Sequence, residues 1–316
     1  MVWIGDGRMV VWNRGRFRVR KDKMKNSLFC WIARNFPTQN ISKSKITAAL
    51  WRTLFYSIRP DKPFIMRTPH YSVVAHPTKG TLTRAIIRRG DWEVPESRAF
   101  LRYLTPGAVV IDAGANFGHY ALLSSGVVGP EGLVIGFEPD PATYALLVEN
   151  VALLPCPNVK TEQAGLSDRD GVMALSIDGG NPGGHSFSAR NVRELGRVVE
   201  VPVRTIDAHL ADSGIRRPVN LIKIDVQGFE YKVLAGAAGT IGRDRPVVFC
   251  EVTPSSMANV GDDFRELLGF FRARGYGVQA IAPAGARSIS YDEAERLLGD
   301  GREYADMIFA PDPVQR

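Results

Sequence analysis

Cysteine is scarce: the 316-residue chain has three, Cys30, Cys156 and Cys250, widely spaced and with no C-x-x-C. An odd, dispersed set builds neither a disulfide framework nor a zinc site, and it fits reduced thiols in a cytoplasm. The chain also lacks any run approaching the roughly 20 apolar residues that a membrane span requires. No charged-then-apolar leader with a small-residue cleavage site is present. Internal repeats and extended low-complexity segments are missing too, and no His/Asp spacing dictates a metal. What remains is ordinary for a globular protein, 45% hydrophobic and 23% charged residues, long enough for one α/β sheet with appendages.

Negative charge is nearly absent from one end. Residues 1–60 hold thirteen Lys or Arg against Asp6 and Asp22, a net +11, so a whole chain at +7 leaves −4 for the remainder. Basicity therefore belongs to an N-terminal arm, which would bind nucleic acid, touch an anionic membrane or glycolipid surface, or do neither. Arg14 to Lys25 is too charged to fold alone, and a start at Met24 instead of Met1 would remove most of it. Leu50, Trp51, Leu54, Phe55 and Ile58 then form an apolar helical stripe, read as a cap on a core before a membrane anchor. We divide the chain into a basic arm and helical cap (1–60), a lead-in of hairpin and helices (61–104) and a catalytic domain (105–316).

The catalytic domain opens on a strand, a glycine turn, a helix and a second strand. Ala108 to Ile111 is a β-branched run suited to a strand covered on both faces. Asp112 follows it, and Gly114 and Gly118 bracket a turn in which no side chain keeps a ligand from the backbone. The helix from Gly118 to Ser125 offers unpaired N–H groups at the same place. Leu133 to Phe137 predicts the second strand, with Glu138 at its carboxyl end, where a carboxylate accepts from both hydroxyls of a ribose. Asp140 and Pro141 read as N-cap and first residue of the next helix. A dinucleotide site would want G-x-G-x-x-G, and Gly-Ala-Asn-Phe-Gly is one glycine short. These residues suit adenosine with an amino-acid arm better than NAD.

Ordered motifs extend the pattern: G-D-W-E (Gly90 to Glu93), I-D-A-G-A-N-F-G (Ile111 to Gly118), F-E-P-D-P (Phe137 to Pro141), G-L-S-D (Gly165 to Asp168), R-T-I-D (Arg204 to Asp207), L-I-K-I-D-V-Q-G-F-E (Leu221 to Glu230) and R-P-V-V-F-C-E-V (Arg245 to Val252). In order and spacing, over about two thirds of the chain, they resemble the FkbM family of S-adenosylmethionine (SAM)-dependent methyltransferases. The resemblance implies a class I, Rossmann-like fold: doubly wound α/β with a mostly parallel seven-stranded sheet, here carrying an N-terminal basic and helical extension. It implies SAM held by Glu93, Asp112, Gly114, Ala115, Asn116, Gly118, Glu138, Ser167 and Asp168, the last two at the adenine amino group. It further implies O-methylation of a sugar, glycolipid or polyketide hydroxyl. Two positions depart from the family. Gln227 stands where Glu is usual, and His119 replaces the common aromatic, either reaching the methionine carboxylate or packing in its helix.

A hydroxyl nucleophile benefits from a base. Lys223 and Asp225 share one face of a strand, and Glu251 closes the neighbouring strand. We expect Asp225 or Glu251 as base, oriented by a Lys223 ion pair, with a structural ion pair as the alternative. The loop from Asp178 to Asn191, D-G-G-N-P-G-G-H-S-F in its first part, reads as ligand contact or plain connection. Two other functions compete. An RNA methyltransferase would use the basic arm, but no N-P-P-Y or paired-Cys motif is present and stacking aromatics are not interleaved. A non-catalytic SAM-fold binding protein would explain Gln227. The leading expectation is a small-molecule or carbohydrate hydroxyl as acceptor and no nucleic acid.

Overall fold

In a computed structural model of the chain, the described residues are 2–3, 9–10, 30, 60, 62–76, 86, 90–181 and 183–312. The Arg14 to Lys25 charge run, the Leu50 to Ile58 stripe and, of the expected lead-in, residues 77–85 and 87–89 lie outside them. The chain divides at Trp92/Glu93, so the expected lead-in is split and its last helix belongs with the catalytic residues.

Of the first unit, a hairpin is described. Strands β1 (Phe64–Arg67) and β2 (Ser72–Ala75) pair antiparallel, Phe64 opposite Ala75. Thr68 closes the turn, its Oγ1 accepting from the Tyr71 N–H at 3.1 Å.

The second unit begins with α1 (Val94–Leu101) and continues into the sheet. Strands β3 (Val109–Ala113) and β4 (Leu133–Phe137) are joined by α2 (His119–Val128). Then come α3 (Pro141–Val151) and β5 (Val159–Glu162). A side sheet follows, β6 (Gly165–Leu166), β7 (Gly171–Asp178) and β8 (Leu195–Arg204), in the order β6-β8-β7. Helix α4 (Ile206–Asp212) leads to β9 (Leu221–Ile224), and α5 (Glu230–Ala235) and α6 (Ala238–Asp244) lead to β10 (Val247–Val252). The chain finishes with α7 (Pro254–Ala258), α8 (Phe264–Arg272), β11 (Tyr276–Ala282), β12 (Gly285–Ile289), α9 (Tyr291–Gly299) and β13 (Ala305–Pro311).

The main sheet runs β12-β11-β13-β10-β9-β3-β4-β5. From β10 to β5 its five strands are parallel, whereas β13 runs antiparallel to both β10 and β11. The sheet thus has eight strands, not seven. The extra one, β12, escapes periodicity reading because Gly285–Ile289 has no fully buried position and hangs antiparallel on the edge.

Burial explains the architecture. Every residue of β3 is buried, as are all four of β9, which is why both read as unbroken apolar runs. Helix α2 buries eight of its ten residues between the sheet and its neighbours. Farther out, Phe271 stacks on Phe309 with centroids 3.9 Å apart. The chain enters the sheet at β3, travels outward through β4 and β5, and returns to the other side of β3 at β9. That reversal opens a crevice at the carboxyl ends of β3 and β9, where open α/β sheets hold ligands.

Candidate active site

The turn after β3 is fixed by its own backbone. The N–H groups of Gly114 and Ala115 both donate to the Phe137 carbonyl, at 3.1 and 2.8 Å, so the loop is tied to the end of β4. Asn116 adopts φ 52 and its N–H donates to Glu138 Oε2 at 2.9 Å. Asp140 N–H donates to Glu138 Oε1, also at 2.9 Å. Each carboxylate oxygen keeps a second lone-pair site, and Glu138 lines a cleft together with Gly114, Asn116, Asp225 and Gln227. Burial pushes the Glu138 carboxyl up to about 8, against the pull of those two N–H groups. Asp140 is an N-cap: its Oδ2 accepts from Thr143 N–H and hydroxyl.

Asp112 does not line the cleft. It lies in register with Lys223 on β9, nearly inaccessible, with Oδ2 lacking any hydrogen-bond partner. Burial raises its pKa to about 7, with Lys223 opposing and Asp225 assisting. Ala115 is buried beneath the turn, and Gly118 is the N-cap of α2 at φ 101. A Cβ on Gly118 would come within 2.8 Å of Leu147 Cδ1. His119 packs between helices, its Nε2 2.8 Å from Ser97 Oγ of α1.

The three expected catalytic residues converge, but not through the expected ion pair. Among the described residues Lys223 has no carboxylate within 4.0 Å; its ammonium stands 5.1 Å from the centroid of the Tyr120 ring. Tyr120 donates its hydroxyl to Glu93 Oε2 at 2.8 Å, which places Glu93 beside Lys223 instead of in the cleft. Burial would neutralise the lysine, yet Asp225, Asp306, Glu93 and Glu251 outweigh it and hold it protonated. What joins the two base candidates is Gln227. Its Nε2 donates to Asp225 Oδ1 at 2.9 Å and to Glu251 Oε1 at 3.2 Å. Burial raises both carboxyls; Lys223 opposes in each, and Gln227 also opposes at Asp225.

Sequence reasoning missed Asp306, which pairs in register with Glu251 from β13 and is raised to about 7 by burial. Ser167 and Asp168, expected at the cofactor, stand outside the cleft lining. Ser167 is buried and donates to Asp168 Oδ1 at 3.0 Å, while Asp168 also lies 3.5 Å from Arg169. The cleft is walled, besides the residues already named, by Gly165, Leu166, Leu175, Gly183, His185 and Phe187.

This arrangement fits SAM. A carboxylate with free lone pairs suits the ribose. The carboxylates gathered near Asp225, which itself lines the cleft, suit the cationic sulfonium and ammonium. Among the described residues no group of three or more His, Cys, Asp and Glu is arranged to hold a metal ion, and no helix is long and apolar enough to cross a membrane.

Comparison with known proteins agrees. Residues 112–278, more than half of the chain, match the Methyltransferase FkbM domain. "Methyltransferase 1" of Beauveria bassiana is 28% identical over 143 residues, covering 40% of this chain and 57% of that protein. The "31-O-demethyl-FK506 methyltransferase FkbM" of Streptomyces tacrolimicus is 27% identical over 246 residues, 68% of this chain and 89% of the relative. The "Hexuronic acid methyltransferase AglP" of Haloferax volcanii is 27% identical over 154 residues, 48% and 59% respectively. The chain thus spans under two thirds of the first and third relatives and most of the second. It belongs to the FkbM methyltransferase family.

Proposed function

We propose that the protein transfers a methyl group from SAM to a hydroxyl oxygen of a carbohydrate or polyketide-type small molecule, with the Asp225–Glu251 pair as base. The observation that carries this reading is the Gln227 amide bridging two half-buried carboxylates at the edge of the cleft that Glu138 lines. Two relatives support the acceptor class, one named for 31-O-demethyl-FK506 and one for a hexuronic acid.

When bound, SAM supplies a methyl group on an already activated sulfonium. The remaining work is positioning and removal of one proton. Asp225 and Glu251 carry raised pKa values, so either is a stronger base than an exposed carboxylate. The Gln227 amide ties the two carboxylates together, and the carboxylates around Lys223 hold it protonated, a positive charge near them. A hydroxyl placed on Asp225 or Glu251 gives its proton to that carboxylate as its oxygen attacks.

The test pairs activity with binding. Asp225→Asn and Glu251→Gln are assayed on a panel of sugar and polyketide hydroxyl acceptors, and binding of S-adenosylhomocysteine (SAH) is followed by calorimetry. Loss of about 100-fold or more in kcat in at least one variant, with SAH affinity kept, supports the base assignment. Full activity in both removes it, and a wild-type protein that binds no SAH removes the whole reading.

A further inference from the structure

The loop between β7 and β8 has a built shape that the site as described leaves without a purpose. Ser186 bridges Ser176 through paired backbone bonds, Ser176 N–H to Ser186 carbonyl at 2.8 Å and the reverse at 3.1 Å. In this extended stretch alternate side chains share a side. His185 and Phe187 both line the cleft, while Ser186 turns the other way and donates its hydroxyl to the Gln227 carbonyl at 2.8 Å. Asn191 Nδ2 donates to the same carbonyl at 2.9 Å and to the Ser256 carbonyl at 3.1 Å. The loop is thus latched to the turn that carries Asp225.

The two inward side chains have specific chemistry. The Phe187 ring rests on the Gly165 backbone, where a Cβ would meet Cζ at 2.4 Å, and touches Phe229 with centroids 5.0 Å apart. Gly165 is therefore glycine because of Phe187. His185 Nδ1 accepts from Asp178 N–H at 3.0 Å, so a neutral ring carries its proton on Nε2. Burial lowers the His185 pKa and keeps it neutral. Nε2 stands 3.8 Å from Asp140 Oδ2, beyond hydrogen-bond reach, and that oxygen is already taken by Thr143. An aromatic face and one uncommitted N–H donor, among Leu166 and Leu175, match a purine, which offers a π-face and ring nitrogens that accept.

We propose that the 178–191 loop reads the base of the cofactor, with Phe187 against its ring and His185 Nε2–H on one of its ring nitrogens. This rests on the reading of the cleft as the SAM site. The strand-end residues Ser167 and Asp168 then serve the fold and not the base.

SAH binding to the full chain is measured by calorimetry for wild type, Glu138→Ala, Phe187→Ala and His185→Phe. Glu138→Ala should lose about 30-fold or more. Phe187→Ala should lose about 10-fold and His185→Phe, which keeps the ring but not the donor, about 5-fold. If Glu138→Ala loses binding while both loop variants stay within about twofold of wild type, the proposal is overturned and the cofactor site stands. If Glu138→Ala binds as wild type, the cofactor reading itself fails. Should Phe187→Ala not fold, Phe187→Leu replaces it, and an affinity within about twofold of wild type again overturns the proposal.

Discussion

A Cβ placed on Gly114 would lie 1.9 Å from the main-chain carbonyl oxygen of Asp225. The cofactor turn and the catalytic strand are therefore in backbone contact, and Asp225 N–H donates to the Ala113 carbonyl at 3.1 Å from the other direction. Gly114 also has φ 78, a left-handed conformation costing an alanine about 1–2 kcal/mol.

Gly114→Ala should therefore destabilise by about 1–2 kcal/mol from conformation plus roughly 1–3 kcal/mol from overlap, and it should weaken SAH binding. Gly126→Ala is the contrast: Gly126 lies in α2 with open space at its Cβ, and about 0.4–1 kcal/mol of stabilisation is expected. Urea unfolding of both variants reads the difference. Equal midpoints would remove the argument from close approach.

Gln227→Glu tests the bridge. The amide now donates to two carboxylates; a third carboxylate would accept instead, and like charges in one site raise pKa values. The acid limb of the kcat/KM profile should move up by about one pH unit, a loss of roughly tenfold at a fixed pH below the shifted limb. Gln227→Leu, which removes the donor without adding charge, should shift the limb in the same direction but less. An unmoved limb in both would show that Gln227 only shapes its left-handed turn at φ 51.

Local sequence was enough where local sequence decides. Strand β4 occupies the predicted residues because it is a short apolar run closed by a polar turn. Asp140 caps α3 as Asp-Pro foretells. Glu138 was legible because the end of a buried strand fixes where the next side chain points. Strand β5 was not, since Val-Lys-Thr-Glu has one large apolar side chain, and β12 depends wholly on pairing with β11. At the site, the loss came from long-range partners. Nothing in D-V-Q-G says that Gln227 reaches Glu251, 24 residues away. Nor does the glycine-rich loop announce that Asn191, 36 residues before Gln227, will pin it so that Phe187 faces the cleft.

Stability without cofactor should fall as pH rises from about 6.5 to 8.5. Burial raises Asp112, Glu230 and Asp306 to about 7 and Glu138 to about 8, above their unfolded values. Between the unfolded and folded pKa values the native state binds more protons, so stability is highest at low pH and is lost as pH climbs through the folded values. His209, lowered to about 4 chiefly by burial, acts oppositely: its contribution grows from about pH 4 to 6.5 and is constant above. The carboxyls are then left alone, and the roughly 2.4 excess protons they hold at pH 7 give a slope on the order of 3 kcal/mol per pH unit there. Scanning calorimetry across this range should show a falling Tm, and Glu138→Gln should flatten the fall. A Tm that rises over the interval would contradict the buried carboxyls.

Cofactor binding should release protons, and Glu138 should account for about one of them. Unliganded, its carboxyl titrates near 8 and is mostly protonated at pH 7. Ribose hydroxyls donate hydrogen bonds that favour the charged form, so occupation of the cleft lowers the pKa and expels the proton. Calorimetric titrations of SAH at pH 7 in buffers of different ionisation enthalpy give the number released as the slope of observed against buffer enthalpy. Wild type should show a release that Glu138→Gln diminishes by close to one, and at pH 9.5, where Glu138 is already ionised, the two proteins should converge. A slope near zero in wild type, or an equal slope in the variant, would mean that the Glu138 carboxylate does not meet the donor's hydroxyls.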